Sequence, residues 1–104
     1  MMLITKEVEK ILPKLYSQEN ETDPIVQLKF FTPDADWTWY ITEGEQHEDV
    51  GGDWLFFGKV VNHICPDGEW GYSNLAELQK VRGALGLPVE RDIYFTPKVA
   101  SECK

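Results

Sequence analysis

Between Phe30 and Gln79 the sequence offers one basic residue, Lys59, against ten acids. Such a segment would repel a phosphate backbone and attract a basic protein surface, which argues against direct nucleic-acid binding. Cysteine is scarce too. Two thiols, Cys65 and Cys103, are too few for the disulfide framework of a small secreted domain, so reduced thiols are the default. No apolar run approaches the roughly 18–20 residues a membrane helix needs. The opening Met1-Met2-Leu3-Ile4-Thr5-Lys6-Glu7 lacks the basic segment and long apolar core of a signal peptide, and the expected location is the cytoplasm. A glycine-rich phosphate loop is missing, Ser73 has no nucleophile-elbow context, and the Asp34-x-Asp36 pair lacks the further ligands of a calcium or magnesium loop. With 18 acids in 104 residues, paired carboxylates arise by chance, and no catalytic activity is expected.

What is present suffices for one folded domain over residues 1–104, with 42% hydrophobic residues and a net charge of −8. Its centre is the stretch from Ile25 to Val61. Ile25–Phe31 alternates, with Val26, Leu28 and Phe30 on one side and Gln27 and Lys29 on the other, as a half-buried strand does. Thr32-Pro33-Asp34-Ala35-Asp36 then favours a chain reversal. Trp37–Glu43 places Trp37, Trp39 and Ile41 on one face and Thr38, Tyr40 and Thr42 on the other, all strongly strand-prone residues. After the glycine- and acid-rich loop from Gly44 to Asp53, Trp54–Val61 is apolar at nearly every position, which suits a strand covered on both faces. Gly58 within it predicts a bulge or a close backbone approach.

Around this core the spacing predicts two helices. Thr5 caps the first, whose apolar face is Val8, Ile11, Leu12 and Leu15 and which Pro13 ends or bends near Leu12. Ser17–Pro24 reads as a polar loop without chemistry. Pro66-Asp67-Gly68 marks a turn into a short strand at Trp70-Gly71-Tyr72. Ser73 or Asn74 caps the second helix, Asn74 and Glu77 forming a capping-box-like pair, with Leu75, Leu78 and Val81 as its stripe and Gly83 as its stop. Val89–Thr96 supplies a last strand with Ile93 and Phe95 facing one way, and residues 98–104 read as a loose tail. The expected fold is α+β: an antiparallel meander sheet of about four to five strands, a short N-terminal helix, and a second helix before the last strand.

Several segments together resemble the domain of unknown function family 2958. They are Asp23-Pro24-Ile25-Val26, Lys29-Phe30-Phe31-Thr32-Pro33-Asp34, Trp37-Thr38-Trp39-Tyr40, Phe56-Phe57-Gly58, Glu69-Trp70-Gly71-Tyr72-Ser73 and Gly86-Leu87-Pro88-Val89-Glu90-Arg91-Asp92-Ile93-Tyr94-Phe95. The similarity runs roughly from Leu3 to Pro97. The resemblance implies a small protein of bacterial plasmids, conjugative elements and phages, often encoded near anti-restriction and DNA-processing genes. It implies no enzymatic activity and carries over no catalytic residue.

Two kinds of candidate site follow. The acids Asp34, Asp36, Glu43, Glu45, Glu48, Asp49 and Asp53, with Trp37 and Trp39 beside them, would serve to capture a basic partner or imitate the phosphate array of DNA. Solvated loops and core tryptophans are the plain alternative. His63 and Cys65, spaced as His-x-Cys, are ligands of the type zinc prefers, and Cys103, Asp67 or the Asp34/Asp36 turn would complete a set. His47 falls at the other end of the meander, about 25 Å away. The expectation is a non-enzymatic inhibitor from a mobile element that blocks the basic nucleic-acid surface of a host defence enzyme, of anti-CRISPR or anti-restriction type. The second reading is a small ligand- or zinc-binding accessory domain with no other cofactor, and the third an interaction domain that dimerises through a sheet edge or an aromatic patch.

Overall fold

The computed structural model describes residues 2–48 and 51–103. Helix α1 spans Lys6–Ile11 and is capped as expected, Thr5 Oγ1 accepting from the Val8 N–H at 3.3 Å. Its C-cap, Leu12, is extended because the residue before a proline is pushed out of the helical region. Strands β1 (Ile25–Val26), β2 (Leu28–Phe31), β3 (Thr38–Gln46), β4 (Trp54–Val61) and β5 (Glu69–Asn74) follow. Helix α2 (Leu75–Lys80), β6 (Glu90–Arg91), β7 (Lys98–Val99) and a 3-10 turn over Ala100–Glu102 complete the order. The main sheet is antiparallel with order β5-β4-β3-β2-β6, so β2 to β5 form the expected meander and β6 is added on its far edge. A second, two-stranded antiparallel sheet pairs β1 with β7.

Successive residues of β3 point to opposite faces, and each face builds its own core. Trp39 and Ile41 join Leu28, Phe30 and Phe56 under α1 and α2, which contribute Val8, Leu12 and Leu78. Tyr40 points the other way and packs with Val26, Ala100 and Cys103. Gly58 is where two strands approach most closely. A Cβ there would strike the Tyr40 carbonyl, and immediately beyond it the register slips: Ile41 pairs with Gly58, Glu43 with Phe57, and Thr42 has no opposite residue. The glycine signal in the sequence therefore marked the tight contact, while the bulge lies on the partner strand at Thr42. Helix α2 begins at Asn74, whose Oδ1 accepts the Glu77 N–H at 2.8 Å while its Nδ2 donates to Glu77 Oε1 at 3.1 Å.

Three expectations need correction. The strand expected over Ile25–Phe31 breaks at Gln27, whose N–H donates to the Ile41 carbonyl, and the alternation loses phase there. Val26 therefore joins the Tyr40 core rather than that of Leu28 and Phe30. The last strand shrinks to Glu90–Arg91, because the chain turns at Asp92–Phe95 with the Phe95 N–H on the Asp92 carbonyl. Ile93 is exposed while Phe95 lies against the second core. Finally, residues 98–103 are no loose tail. Lys98–Val99 pairs with β1, Ala100 and Cys103 are buried, and Ser101 donates to Asp23 through both its N–H (2.9 Å) and its hydroxyl (2.6 Å). Among the described residues no helix is long and apolar enough to cross a membrane.

Candidate functional site

The face of the sheet that carries Tyr40 is only half covered by the C-terminal segment. Directly paired residues share a face, so Lys59 and Trp70 stand beside Tyr40, and Phe57 and Tyr72 stand in the next row beside Glu43. Phe57 and Trp70 are stacked, ring centroids 5.7 Å apart with 19° between planes, and Tyr72 leans on Phe57 at 5.0 Å. Trp70 and Tyr72 remain 44% and 51% exposed, so this is an open aromatic floor.

The segment after α1 builds the opposite wall. Thr42, unopposed at the bulge, leaves its carbonyl free of the ladder, and the Gln18 amide donates to it at 3.0 Å. The same amide nitrogen donates to the Ile25 carbonyl, and Gln18 Oε1 accepts the Ile25 N–H at 2.7 Å. Two carboxylates of β3 complete the attachment: Glu45 accepts the Leu15 N–H at 2.8 Å, and the buried Glu43 accepts the Tyr16 N–H. Tyr16 is held at φ +69°, and the Tyr72 hydroxyl donates a hydrogen bond to that of Tyr16. That bond, together with burial and the nearby carboxylates Glu43 and Glu19, pushes the Tyr72 phenol up to about 12. Between floor and wall lies a groove of about 400 Å³, lined by Tyr16, Phe57, Trp70 and Tyr72, by Pro24 and Thr22, and by Gln18, Glu19, Glu21 and Glu43. Its chemistry is stacking surface and negative charge, a combination suited to a cation.

The acids singled out in the sequence do not gather into one patch. Asp34 lies in the β2–β3 turn, where Oδ2 accepts the N–H groups of Leu85 (2.7 Å) and Leu87 (3.1 Å) while Oδ1 is buried without a hydrogen-bond partner. Asp36 accepts both the backbone N–H and Nδ1 of His63 at 2.7 Å. Desolvation opposes the charge on Asp36, but those bonds and the His63 charge hold its carboxyl below the usual value. At the other end of β3, some 26 Å along the strand, Asp53 accepts the Ala76 N–H at the start of α2 and Glu48 is exposed. Asp49 lies outside the described residues. Asp34, Asp36, Glu43, Glu45 and Asp53 thus each hold backbone N–H groups, as loop clamps do. Trp39 is core, and Trp37 stacks on it at 5.9 Å beside a separate cleft with Arg82.

The three metal candidates are dispersed. His63 sits on Asp36, Cys65 on the following turn, and Cys103 in the Tyr40 core, where burial pushes its thiol up. Among the described residues no group of three His, Cys, Asp or Glu side chains could hold a metal ion. Sequence reading missed the residues that make the groove, Tyr16, Gln18, Glu19 and Glu21, because the segment lacks periodicity. The one available signal was Tyr16 itself, a large aromatic residue that follows Leu15 and opens a polar run after the proline-ended helix.

A family model described as "Protein of unknown function (DUF2958)" matches residues 3–101, nearly the whole chain. No curated protein and no solved structure matches significantly.

Proposed function

We propose that this chain, which belongs to the DUF2958 family, is a non-enzymatic binding module for a basic protein surface, acting in the cytoplasm as an inhibitor carried by a mobile element. The observation that carries the reading is the groove, which joins exposed ring faces to carboxylates on a chain of net charge −8. Electrostatic attraction of this sign brings a basic partner in and sets its orientation, and the aromatic floor supplies the desolvated contact. The plasmid and phage setting that the resemblance implies makes a nucleic-acid enzyme of the host defence, a CRISPR effector or restriction enzyme, the natural owner of such a surface.

The experiment is binding of the purified protein to a candidate enzyme at low and high salt, with nucleic-acid cleavage measured alongside. Salt-sensitive binding that suppresses cleavage supports the reading; binding without suppression, or none, contradicts it. A second reading, a small-ligand accessory domain, is favoured by the cleft of about 420 Å³ beside Trp37, Trp39 and Arg82. Ligand-dependent quenching lost in Trp37→Ala would support that alternative.

A further inference from the structure

The groove is lined by three carboxylates and four aromatic rings, and among the described residues neither lysine nor arginine joins that lining. Lys59, the base paired with Trp70 across the strands, runs its stem over Gly68 and lies outside the lining. Among the described residues the negative charge of the groove therefore has no counterpart along its walls, and an anion would be repelled. Glu43 is committed to Tyr16, whereas Glu19 and Glu21 are exposed at the rim.

We infer that the groove takes an arginine side chain of the partner, its guanidinium plane against Trp70 and its nitrogens toward Glu19 and Glu21. This rests on the reading above that a basic protein is the partner. The stacked pair Phe57 and Trp70 offers a flat wall, and a planar, weakly hydrated guanidinium stacks on such a wall while still presenting its N–H fork sideways to carboxylates. A lysine ammonium is compact and strongly hydrated, and it uses the ring faces less well. The apolar stem of an arginine has a place too, along Phe57 and Tyr72, which meet at 5.0 Å.

The test uses three nine-residue peptides, identical except for a central arginine, lysine or citrulline among glycines and serines. Each is titrated into the full chain while the indole N–H signal of Trp70 is followed by NMR. Citrulline keeps the shape of arginine and removes its charge. Arginine is expected to move the Trp70 signal, citrulline to bind at least fivefold more weakly, and lysine to fall between. In the Glu19→Gln/Glu21→Gln double variant, whose altered side chains are exposed, arginine should bind at least fivefold more weakly, with the fold checked by an unchanged amide spectrum. Citrulline binding within fivefold of arginine overturns the inference, as does an arginine response that bypasses Trp70. An enzyme partner still held by the double variant and by Trp70→Ala would also overturn the groove while leaving the proposed function standing. Loss of the proposed function, by contrast, would show as no salt-sensitive partner for the unmodified chain.

Discussion

The buried carboxylate of Glu43 accepts the backbone N–H of Tyr16, twenty-seven positions earlier in the chain, and holds that residue at φ +69°. A left-handed conformation costs a residue with a side chain roughly 1–2 kcal/mol, so Tyr16 stays there because its surroundings make it. Those surroundings also shape the groove.

Replacing Glu43 by Ala removes the acceptor and leaves a backbone N–H unmet near the sheet. Stability should fall by about 1–3 kcal/mol, read as a lower urea midpoint at unchanged slope. Glu19→Gln, at an exposed rim position, should leave the midpoint where it was. Equal effects of the two would contradict the assignment of Glu43 as a structural clamp.

The Tyr16–Tyr72 contact is open to titration. The hydrogen bond that Tyr72 donates to Tyr16, with burial and the nearby carboxylates, raises the Tyr72 phenol from 10.0 to about 12, and burial raises Tyr40 as well. Tyr72 and Tyr40 should therefore ionise late in an absorbance titration. Tyr16→Phe should return Tyr72 toward pH 10 and leave Tyr40 as the late one. Because the raised group holds its proton longer in the fold than in the unfolded chain, its contribution to stability is whole below pH 10. It fades as pH rises toward about 12, and Tyr16→Phe should lose that alkaline slope.

Asp34 and Gly83 meet at the opposite end of the molecule. A Cβ on Gly83 would run into the Asp34 carboxylate, which is tied to Leu85 and Leu87 and cannot swing aside without freeing two N–H groups. Gly83→Ala should cost about 1–3 kcal/mol, and Asp34→Ala a similar amount, both seen in denaturant melts. A mutant that neutralises all the acids at once would therefore report on folding as much as on partner binding. Glu19, Glu21 and Glu48 are exposed positions at which charge can be removed with the fold intact.

How much of this was legible in the residues follows from which interactions are local. The caps at Thr5 and Asn74 and the turn at Asp34 depend on neighbours within a few positions, and each signal stood in the sequence; the tight spot at Gly58 lies against Tyr40, eighteen positions earlier, but the glycine itself marked it. The meander of β2 to β5 followed from alternation and turns, whereas the place of β6 beside β2 and the pairing of β1 with β7 did not. What escaped detection depends on partners far along the chain. Gln18 bridges to Thr42, Glu45 to Leu15, and Asp23 to Ser101, seventy-eight positions away, so a polar loop became a wall and an expected tail became a strand. The acidic residues looked like one belt because they are close in sequence. Strand β3 then separates them toward its two ends, and most turn inward to N–H groups.

The Asp23–Ser101 contact gives a further check. Hydrogen bonds from the Ser101 hydroxyl and N–H hold the Asp23 carboxyl below its usual 3.8. A carboxyl lowered in the fold stabilises it above that value and loses its contribution as pH falls through the lowered one, so the C-terminal segment should loosen in acid below about pH 4. Cys103, buried beside Tyr40, is the reporter. Asp23→Ala should make Cys103 label faster at neutral pH, while Cys65 reacts at an unchanged rate. Equal rates in mutant and parent would show that Ser101 does not anchor the segment.

The measurement closest to the central claim is capture of a basic nucleic-acid enzyme from bacterial cytoplasm at low and high salt, with the Trp70→Ala/Glu19→Gln/Glu21→Gln variant run beside the parent. The account predicts an enzyme held by the parent at low salt, released at high salt, and not held by the variant at either. A parent that retains no such enzyme, or retains one equally at both salt concentrations, would contradict recognition of a basic surface by charge.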